Sequence, residues 1–293
     1  MNRDLNGSLN KKWNWKDKRL GLVLSGGGAK GAYQIGMLRA MEELGLAENI
    51  VTISGTSIGA LGALIYSAAG LDGLRELFRC FSSQITEECR QTDAETIRKN
   101  RAAAERGEVS LEQFIAEPSF SEFHAGLFRD FLKELLPDAA LSGYRRKVYA
   151  CAYALEPCQP EYFYLNSLKP EEQRELVLAS ASLPFVFPPV EYRGGHYLDG
   201  GVVPTVCGSD AAPADKIPLL PMLGEEVDAI LVNFLNPDNK VDSSMVPEAV
   251  GYLELRPSEL LEKYPGEGTL DFSSERLAWN EKLGYKDTMG VFE

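Results

Sequence analysis

The sequence is poor in histidine, in paired cysteines and in net positive charge, and each shortage excludes a class of function. Only two histidines occur, His124 and His196, so a metal site built from several histidines is excluded. The five cysteines are odd in number and form no C-x-x-C pair, which favours free thiols in a reducing compartment. The net charge of −13 argues against a nucleic acid partner, because phosphate binding needs clustered cations. The cysteines are Cys80, Cys89, Cys151, Cys158 and Cys207.

Long hydrophobic runs are also missing. The longest weakly polar stretch, Ile58 to Gly70, is too short and too rich in glycine to span a bilayer. The polar amino terminus contains no secretory signal, so a cytoplasmic protein is the expectation, with peripheral membrane contact left open. Residues 1–18 are interpreted as a flexible leader and residues 19–293 as one α/β domain.

What the chain does contain is a repeated order of strand, turn and helix. Arg19 to Ser25 and Ile50 to Ser54 are short apolar runs of the kind found in buried parallel strands. From Ala32 to Leu44 apolar residues recur every three positions, which predicts an amphipathic helix that ends at Gly45. This alternation predicts a mainly parallel central sheet whose strands are connected by helical crossovers.

Residues 83–135 interrupt the alternation. They are polar with apolar residues at helical spacing, and we interpret them as a helical insertion, either a lid or a plain cover for the sheet. Further strands are predicted at 147–155, 161–165, 196–198 and 228–235, with a helix at 170–182 and a long proline-containing loop at 203–224.

A glycine-rich turn, Gly26-Gly27-Gly28-Ala29-Lys30-Gly31, follows the first strand and begins a helix. A dinucleotide site would also need an acidic residue at the end of the second strand, and none is present. A phosphate-binding P-loop would need Lys-Ser/Thr after the last glycine, where Ala32 stands. Unpaired backbone N–H groups at a helix amino terminus stabilise anions, and the oxyanion of acyl transfer is one such anion.

Gly55-Thr56-Ser57-Ile58-Gly59 has the form of a nucleophile elbow, since it follows a strand and precedes a helix. The alternative is a glycine turn with an incidental serine. A serine nucleophile needs a base. His196 precedes Asp199, which is the wrong order for an α/β-hydrolase triad, and no acidic partner can be chosen for His124.

Together with Asp199-Gly200-Gly201 and the segment Ala181 to Pro189, these motifs resemble the patatin-like phospholipase family. The resemblance implies a three-layer α/β/α fold and hydrolysis of lipid acyl esters by a Ser-Asp dyad, with no metal or cofactor. It assigns Ser57 as the nucleophile, Asp199 as the base, and Gly27, Gly28 and Ala29 as oxyanion donors. The remaining motif residues are supporting positions: Gly26, Lys30, Gly31, Gly55, Gly59, Gly200 and Gly201.

One segment departs from the family pattern. The family has Asn-x-Pro soon after Asp-Gly-Gly, whereas here Lys216-Ile217-Pro218 follows an apparent insertion, Val203 to Asp215. A catalytically silent lipid-binding or scaffold protein on the same fold is the alternative hypothesis.

Overall fold

A mixed β-sheet forms the centre of the molecule in the computed structural model, which describes residues 15–84, 99, 102–103, 106–116, 122–263 and 268–292. Within these residues eight strands lie in the order β5-β6-β3-β2-β1-β7-β8, and β4 also pairs with β3. Strands β3, β2, β1, β7 and β8 are parallel, whereas β4, β5 and β6 are antiparallel additions. The strands are β1 (Leu20–Leu24), β2 (Ile50–Thr56), β3 (Lys147–Ala154), β4 (Gln159–Tyr164), β5 (Val190–Tyr192), β6 (Gly195–Asp199), β7 (Ala229–Asn233) and β8 (Gly251–Leu255).

The predicted mostly parallel sheet with helices is therefore confirmed. The α-helices are α1 (Ala32–Glu43), α2 (Ile58–Gln84, interrupted at Gly70), α3 (Leu111–Ala116), α4 (Glu122–Leu135), α5 (Asp138–Leu141), α6 (Pro170–Ala181) and α7 (Ser274–Phe292).

The two faces of the sheet are covered differently. Leu22 and Leu24 of β1 point into the large apolar core shared with the helices, whereas Val23 points to the other face because side chains alternate along a strand. In the described residues that second face is covered by 217–227, which includes a 3-10 turn at Leu220–Gly224, and by Val246.

Helix α7 packs directly on α1 through glycines. A Cβ atom on Gly36 would overlap the carbonyl of Glu281, and one on Gly284 would overlap the carbonyl of Tyr33. The two backbones therefore touch, which fixes the helix that follows the glycine-rich turn.

The predicted leader at 1–18 and the predicted insertion at 83–135 differ in part from what the sequence indicates. Residues 1–14 of the predicted leader lie outside the described residues, but Trp15 is buried and its ring meets that of Phe292 at 5.6 Å. The insertion at 83–135 is mainly helical where it is described, with a non-helical turn at 106–110. Within it Phe128 and Leu132 are buried, whereas Leu127 is exposed.

Candidate active site

Three motifs from distant parts of the chain meet at one edge of the sheet. The glycine-rich turn follows β1 and the elbow follows β2, and these neighbouring strands are parallel, with Leu24 opposite Gly55. Strand β6 runs antiparallel to β3 and sets Asp199 opposite Ala152, one residue beyond the pairing of Cys151 with Thr56. Ser57 and Asp199 therefore reach the same crevice, outside the carboxyl ends of the central strands.

The elbow holds Ser57 in the left-handed region, with φ of 58°. This conformation is uncommon for a residue with a side chain, and it turns the chain sharply from β2 into α2. A Cβ atom on Gly55 would overlap the carbonyl of Gly59, and one on Gly59 would overlap the carbonyl of Leu24. Both glycines of the motif are thus required by close backbone approach.

A buried hydroxyl from α6 fixes the elbow. Ser180 Oγ accepts the N–H of Ser57 at 2.8 Å and donates to the carbonyl of Cys151 at 2.5 Å. The Ser180 hydroxyl thus links β2 to β3 just beyond Thr56 and Cys151, the last residues that pair between these two strands. Because the Ser57 amide is occupied in this way, oxyanion donors have to come from elsewhere.

Asp199 is almost fully buried, with 1% of its surface exposed. Its backbone N–H donates to the carbonyl of Ser182 at 2.9 Å, and its Oδ1 accepts the N–H of Gly201 at 2.8 Å. Gly200 is required beside it, since a Cβ atom there would overlap the carbonyl of Cys151.

Burial raises the pKa of Asp199 to about 6 because it penalises the charged form. The hydroxyl of Ser57, the N–H of Gly201 and the charge of Lys216 act against this shift. Asp199 Oδ2 accepts no hydrogen bond from the described residues. The Ser57 hydroxyl is nevertheless close enough to this carboxylate to lower its pKa.

Some backbone N–H groups of the glycine-rich turn donate hydrogen bonds within the protein, and others do not. The N–H of Gly26 donates to the carbonyl of Lys216 at 3.0 Å, and that of Ala29 donates to the carbonyl of Thr269 at 2.9 Å. The N–H groups of Gly27 and Gly28 donate to no described residue. Of the three predicted oxyanion donors, only these two glycines present free amides in this structure.

The other residues of this turn brace it. Lys30 Nζ lies 3.3 Å from Glu262 Oε2, so its charge is paired. A Cβ atom on Gly31 would come within 2.6 Å of Ile58 Cγ1, which shows how closely the turn packs on the start of α2.

The insertion after Asp199 is anchored at both ends. A disulfide joins Cys158 to Cys207, with their Cα atoms 5.8 Å apart, and the N–H of Ala212 donates to the carbonyl of Cys158 at 2.9 Å. The N–H of Asp215 then donates to the carbonyl of Gly200 at 2.9 Å. The prediction of free thiols is wrong for Cys158 and Cys207, because the insertion folds back onto the β3–β4 turn.

The same prediction holds for Cys80 and Cys151, which are buried free thiols. Cys89 lies outside the described residues. An odd cysteine count is therefore compatible with one bridge, and it no longer supports a reducing compartment.

Residues 215–218 contact all three motifs. Lys216 meets Gly26 through its carbonyl, Thr56 Oγ1 donates to the carbonyl of Asp215 at 2.8 Å, and Ser54 Oγ donates to that of Pro218 at 2.6 Å. The resemblance sets Lys216-Ile217-Pro218 against the family's Asn-x-Pro element, but no pattern in the sequence predicts these contacts, which depend on how the insertion folds.

His196, the histidine whose side chain the structure describes, takes no part in this arrangement. His196 alternates with Asp199 on β6 and so points to the opposite face of the sheet, where its Nδ1 lies 4.0 Å from Glu156. His124 is on α4, and its side chain lies outside what the structure describes.

In the described part of the chain, no cluster of three or more histidine, cysteine, aspartate or glutamate side chains could hold a metal ion. Among the same residues no helix combines the length and the apolar character needed to cross a membrane.

Comparison with known proteins identifies the family of the chain. A family model described as patatin-like phospholipase matches residues 22–206, and the chain belongs to this family. It is similar to lysophospholipase NTE1 of Phaeosphaeria nodorum, with 30% identity over 206 residues that cover 68% of this chain and 12% of that protein. Lysophospholipase NTE1 of Pyricularia oryzae is 29% identical to this chain over 199 residues, which cover 64% of this chain and 11% of that protein. The chain thus spans about a tenth of the length of these curated relatives.

Solved structures are more distant. The type III effector protein ExoU of Pseudomonas aeruginosa has a TM-score of 0.47 and 14% identity, covering 94% of this chain and 52% of that one. VipD from Legionella pneumophila has a TM-score of 0.44 and 15% identity, and the match covers 94% of this chain and 66% of VipD.

Proposed function

We propose that this protein hydrolyses acyl esters of lipids, with Ser57 as nucleophile and Asp199 as general base. The observation that carries the proposal is a fully buried carboxylate with one uncommitted oxygen beside a serine held at an elbow. The match to the patatin-like phospholipase family and the lysophospholipase names of the relatives support a lipid ester as substrate.

In the proposed reaction Ser57 Oγ attacks the ester carbonyl while its proton passes to Asp199. The N–H groups of Gly27 and Gly28 receive the oxyanion. Asp199 returns the proton to the departing alcohol, which leaves an acyl group on Ser57. Water then attacks this acyl group while Asp199 takes its proton, and Asp199 returns that proton to Ser57 Oγ as the bond to the acyl group breaks and the fatty acid is released.

The test is hydrolysis of 1-palmitoyl-lysophosphatidylcholine by the wild type and by Ser57→Ala. We expect the variant to lose several orders of magnitude in kcat, because no other group can replace the nucleophile. Ser83→Ala is the matched control, since this exposed serine on α2 bonds only to the carbonyl of Cys80 in its own helix, and it should keep full activity.

Equal rates for the wild type and Ser57→Ala would contradict the proposal. A wild type that binds the lipid without hydrolysing it would instead support the catalytically silent lipid-binding alternative.

A further inference from the structure

Lys216 lies across the mouth of the proposed dyad. A point at the Cβ position of Gly26 lies 3.1 Å from Ser57 Cβ and 3.7 Å from Lys216 Cγ. A point at the Cβ position of Gly201 lies 3.3 Å from Asp199 Oδ1 and 3.5 Å from Lys216 Cε. The side chain therefore runs from the glycine-rich turn, past Ser57, to the Asp199 turn.

This lysine has no ion pair within the described residues, unlike Lys30, whose ammonium is paired with Glu262. The neighbouring carboxylate of Asp215 is committed elsewhere, since its Oδ2 accepts the hydroxyl of Tyr162 at 2.6 Å and its Oδ1 accepts the N–H of Ile217 at 3.1 Å. Lys216 is exposed, and its charge acts on the Asp199 carboxylate without forming an ion pair with it, so the ammonium remains available to a ligand.

The backbone of Lys216 is fixed, which sets the point from which its side chain extends. Its carbonyl accepts the N–H of Gly26 at 3.0 Å, and both adjacent residues, Asp215 and Ile217, are held as described above. Binding of a ligand then has to order the side chain of this lysine but not its backbone.

The position of Lys216 identifies the side of the ester that it faces. Asp199 must protonate the departing alcohol, so the alcohol portion of the substrate lies toward Asp199 and Gly201. In a glycerophospholipid the phosphate is attached to that alcohol, only the glycerol carbons away from the scissile ester. The Lys216 side chain, whose Cε lies beside Gly201, is then on the headgroup side of the scissile ester.

We propose that Lys216 binds the phosphate of the substrate headgroup and so makes the site selective for phosphate-bearing acyl glycerols over neutral ones. The inference rests on the proposed function of the same site. A local cation has a clear purpose in a chain whose net charge is −13, because the protein as a whole repels anionic ligands.

The test compares 1-palmitoylglycerol 3-phosphate with 1-monopalmitoylglycerol, which differ only in the phosphate. At pH 8, above the pKa of Asp199, Lys216→Met should lower kcat/KM for the phosphate ester about 10- to 100-fold and change the neutral ester less than about 3-fold. Lys216→Arg should keep most of the preference. Lys282→Met, which removes an exposed lysine on α7, is the matched control and should change neither rate.

Salt provides a second readout. The rate on the phosphate ester should fall with ionic strength in the wild type and lose this dependence in Lys216→Met, because screening acts on the ion pair. Equal loss on both esters, or no loss on either, would overturn the proposal. The first of these results would mean that the lysine acts on the dyad and not on the headgroup.

Binding separates this inference from the proposed function. The ether analogues 1-O-hexadecylglycerol 3-phosphate and 1-O-hexadecylglycerol cannot be hydrolysed, so their affinities do not depend on catalysis. Wild type should prefer the phosphate analogue about 10-fold or more and Lys216→Met should not. Equal affinities in the wild type would overturn the headgroup site even if Ser57 proves to be the nucleophile, and the preference would stand even if hydrolysis fails.

Discussion

At the scale of single residues, Asp199 shows a conflict between stability and function. Its pKa in the folded protein is about 6, above the ordinary value of 3.8. A raised acid pKa means that the folded state favours the protonated form. The contribution of Asp199 to the free energy of unfolding is therefore fully present below its unfolded pKa of 3.8, is lost as the pH rises through the folded value of about 6, and stays lower above that.

Asp199→Asn should consequently stabilise the protein while it abolishes activity. At pH 8 the free energy of unfolding should rise by roughly 2–3 kcal/mol, since each pKa unit corresponds to about 1.4 kcal/mol and the group is buried. Urea denaturation at pH 8 and pH 5 measures this, and the gain should be smaller at pH 5. A variant that is no more stable than the wild type at pH 8 would show that burial does not disfavour the charge.

The same pKa governs the rate. The base must be ionised, so kcat/KM should rise with pH and level off with an apparent pKa near 6, falling about tenfold per unit below it. The pH dependence of kcat/KM is measured from the release of palmitate by an ester substrate that has no ionisable groups. A rate that is flat between pH 5 and pH 7 would exclude Asp199 as the titrating base.

The residue-scale predictions from sequence were uneven for a physical reason. Ser57 lies in a local motif whose glycines are required by close backbone contacts, so the pattern carries the geometry. Asp199 carries no such local pattern, and its assignment rested on resemblance. Ser180 and Lys216 reach the site from distant segments, so their roles depend on tertiary structure and no spacing indicates them.

At the scale of elements, the carboxyl end of α6 holds both halves of the proposed dyad. Ser180 uses its hydroxyl to hold the N–H of Ser57, whereas Ser182 uses its backbone carbonyl to hold the N–H of Asp199. The hydroxyl of Ser182 only donates within α6, to the carbonyl of Leu178 at 2.8 Å.

This difference gives a matched pair of variants. Ser180→Ala leaves the Ser57 amide and the Cys151 carbonyl unsatisfied at the elbow, so kcat should fall about 10- to 100-fold with little change in KM. Ser182→Ala removes a hydroxyl of equal burial and should keep kcat within about 3-fold. Steady-state kinetics measures kcat and KM for both variants. An equal loss of kcat in the two variants would mean that Ser180 has only a structural role.

The disulfide ties the insertion to the β3–β4 turn across 49 residues of sequence. A loop of this length predicts that the double variant Cys158→Ser/Cys207→Ser is about 2–4 kcal/mol less stable. Urea denaturation should show the same loss in the wild type after reduction and no effect of reductant on the double variant. A wild type indifferent to reductant would mean that the bridge contributes nothing to stability.

Most elements with a strong pattern were predicted within a few residues, including β1, β2, β3, α1 and α6. Strand β5 has only three residues and is defined by its pairing with β6, so the sequence contains too little pattern to predict it. Helix α7 has charged residues on much of its surface and buries only a narrow strip, and its glycine contact with α1 becomes evident only in the folded chain.

At the scale of the whole molecule, the topology explains why distant motifs form one site. Parallel strands β1 and β2 end at the same edge, and antiparallel β6 pairs with β3 directly beyond the end of β2, on the same side of β3, which places Asp199 at that edge. The strand and turn pattern predicted the parallel part of this sheet. It could not predict the placement of β6, because strand order beyond neighbours is set by long-range packing.

The central claim is that Ser57 and Asp199 act together, and covalent labelling by a fluorophosphonate tests it most directly. Mass spectrometry should find one adduct, on Ser57, that is absent in Ser57→Ala and forms much more slowly in Asp199→Asn at pH 8. Labelling of Asp199→Asn at the wild-type rate, or an adduct on a residue other than Ser57, would contradict the account.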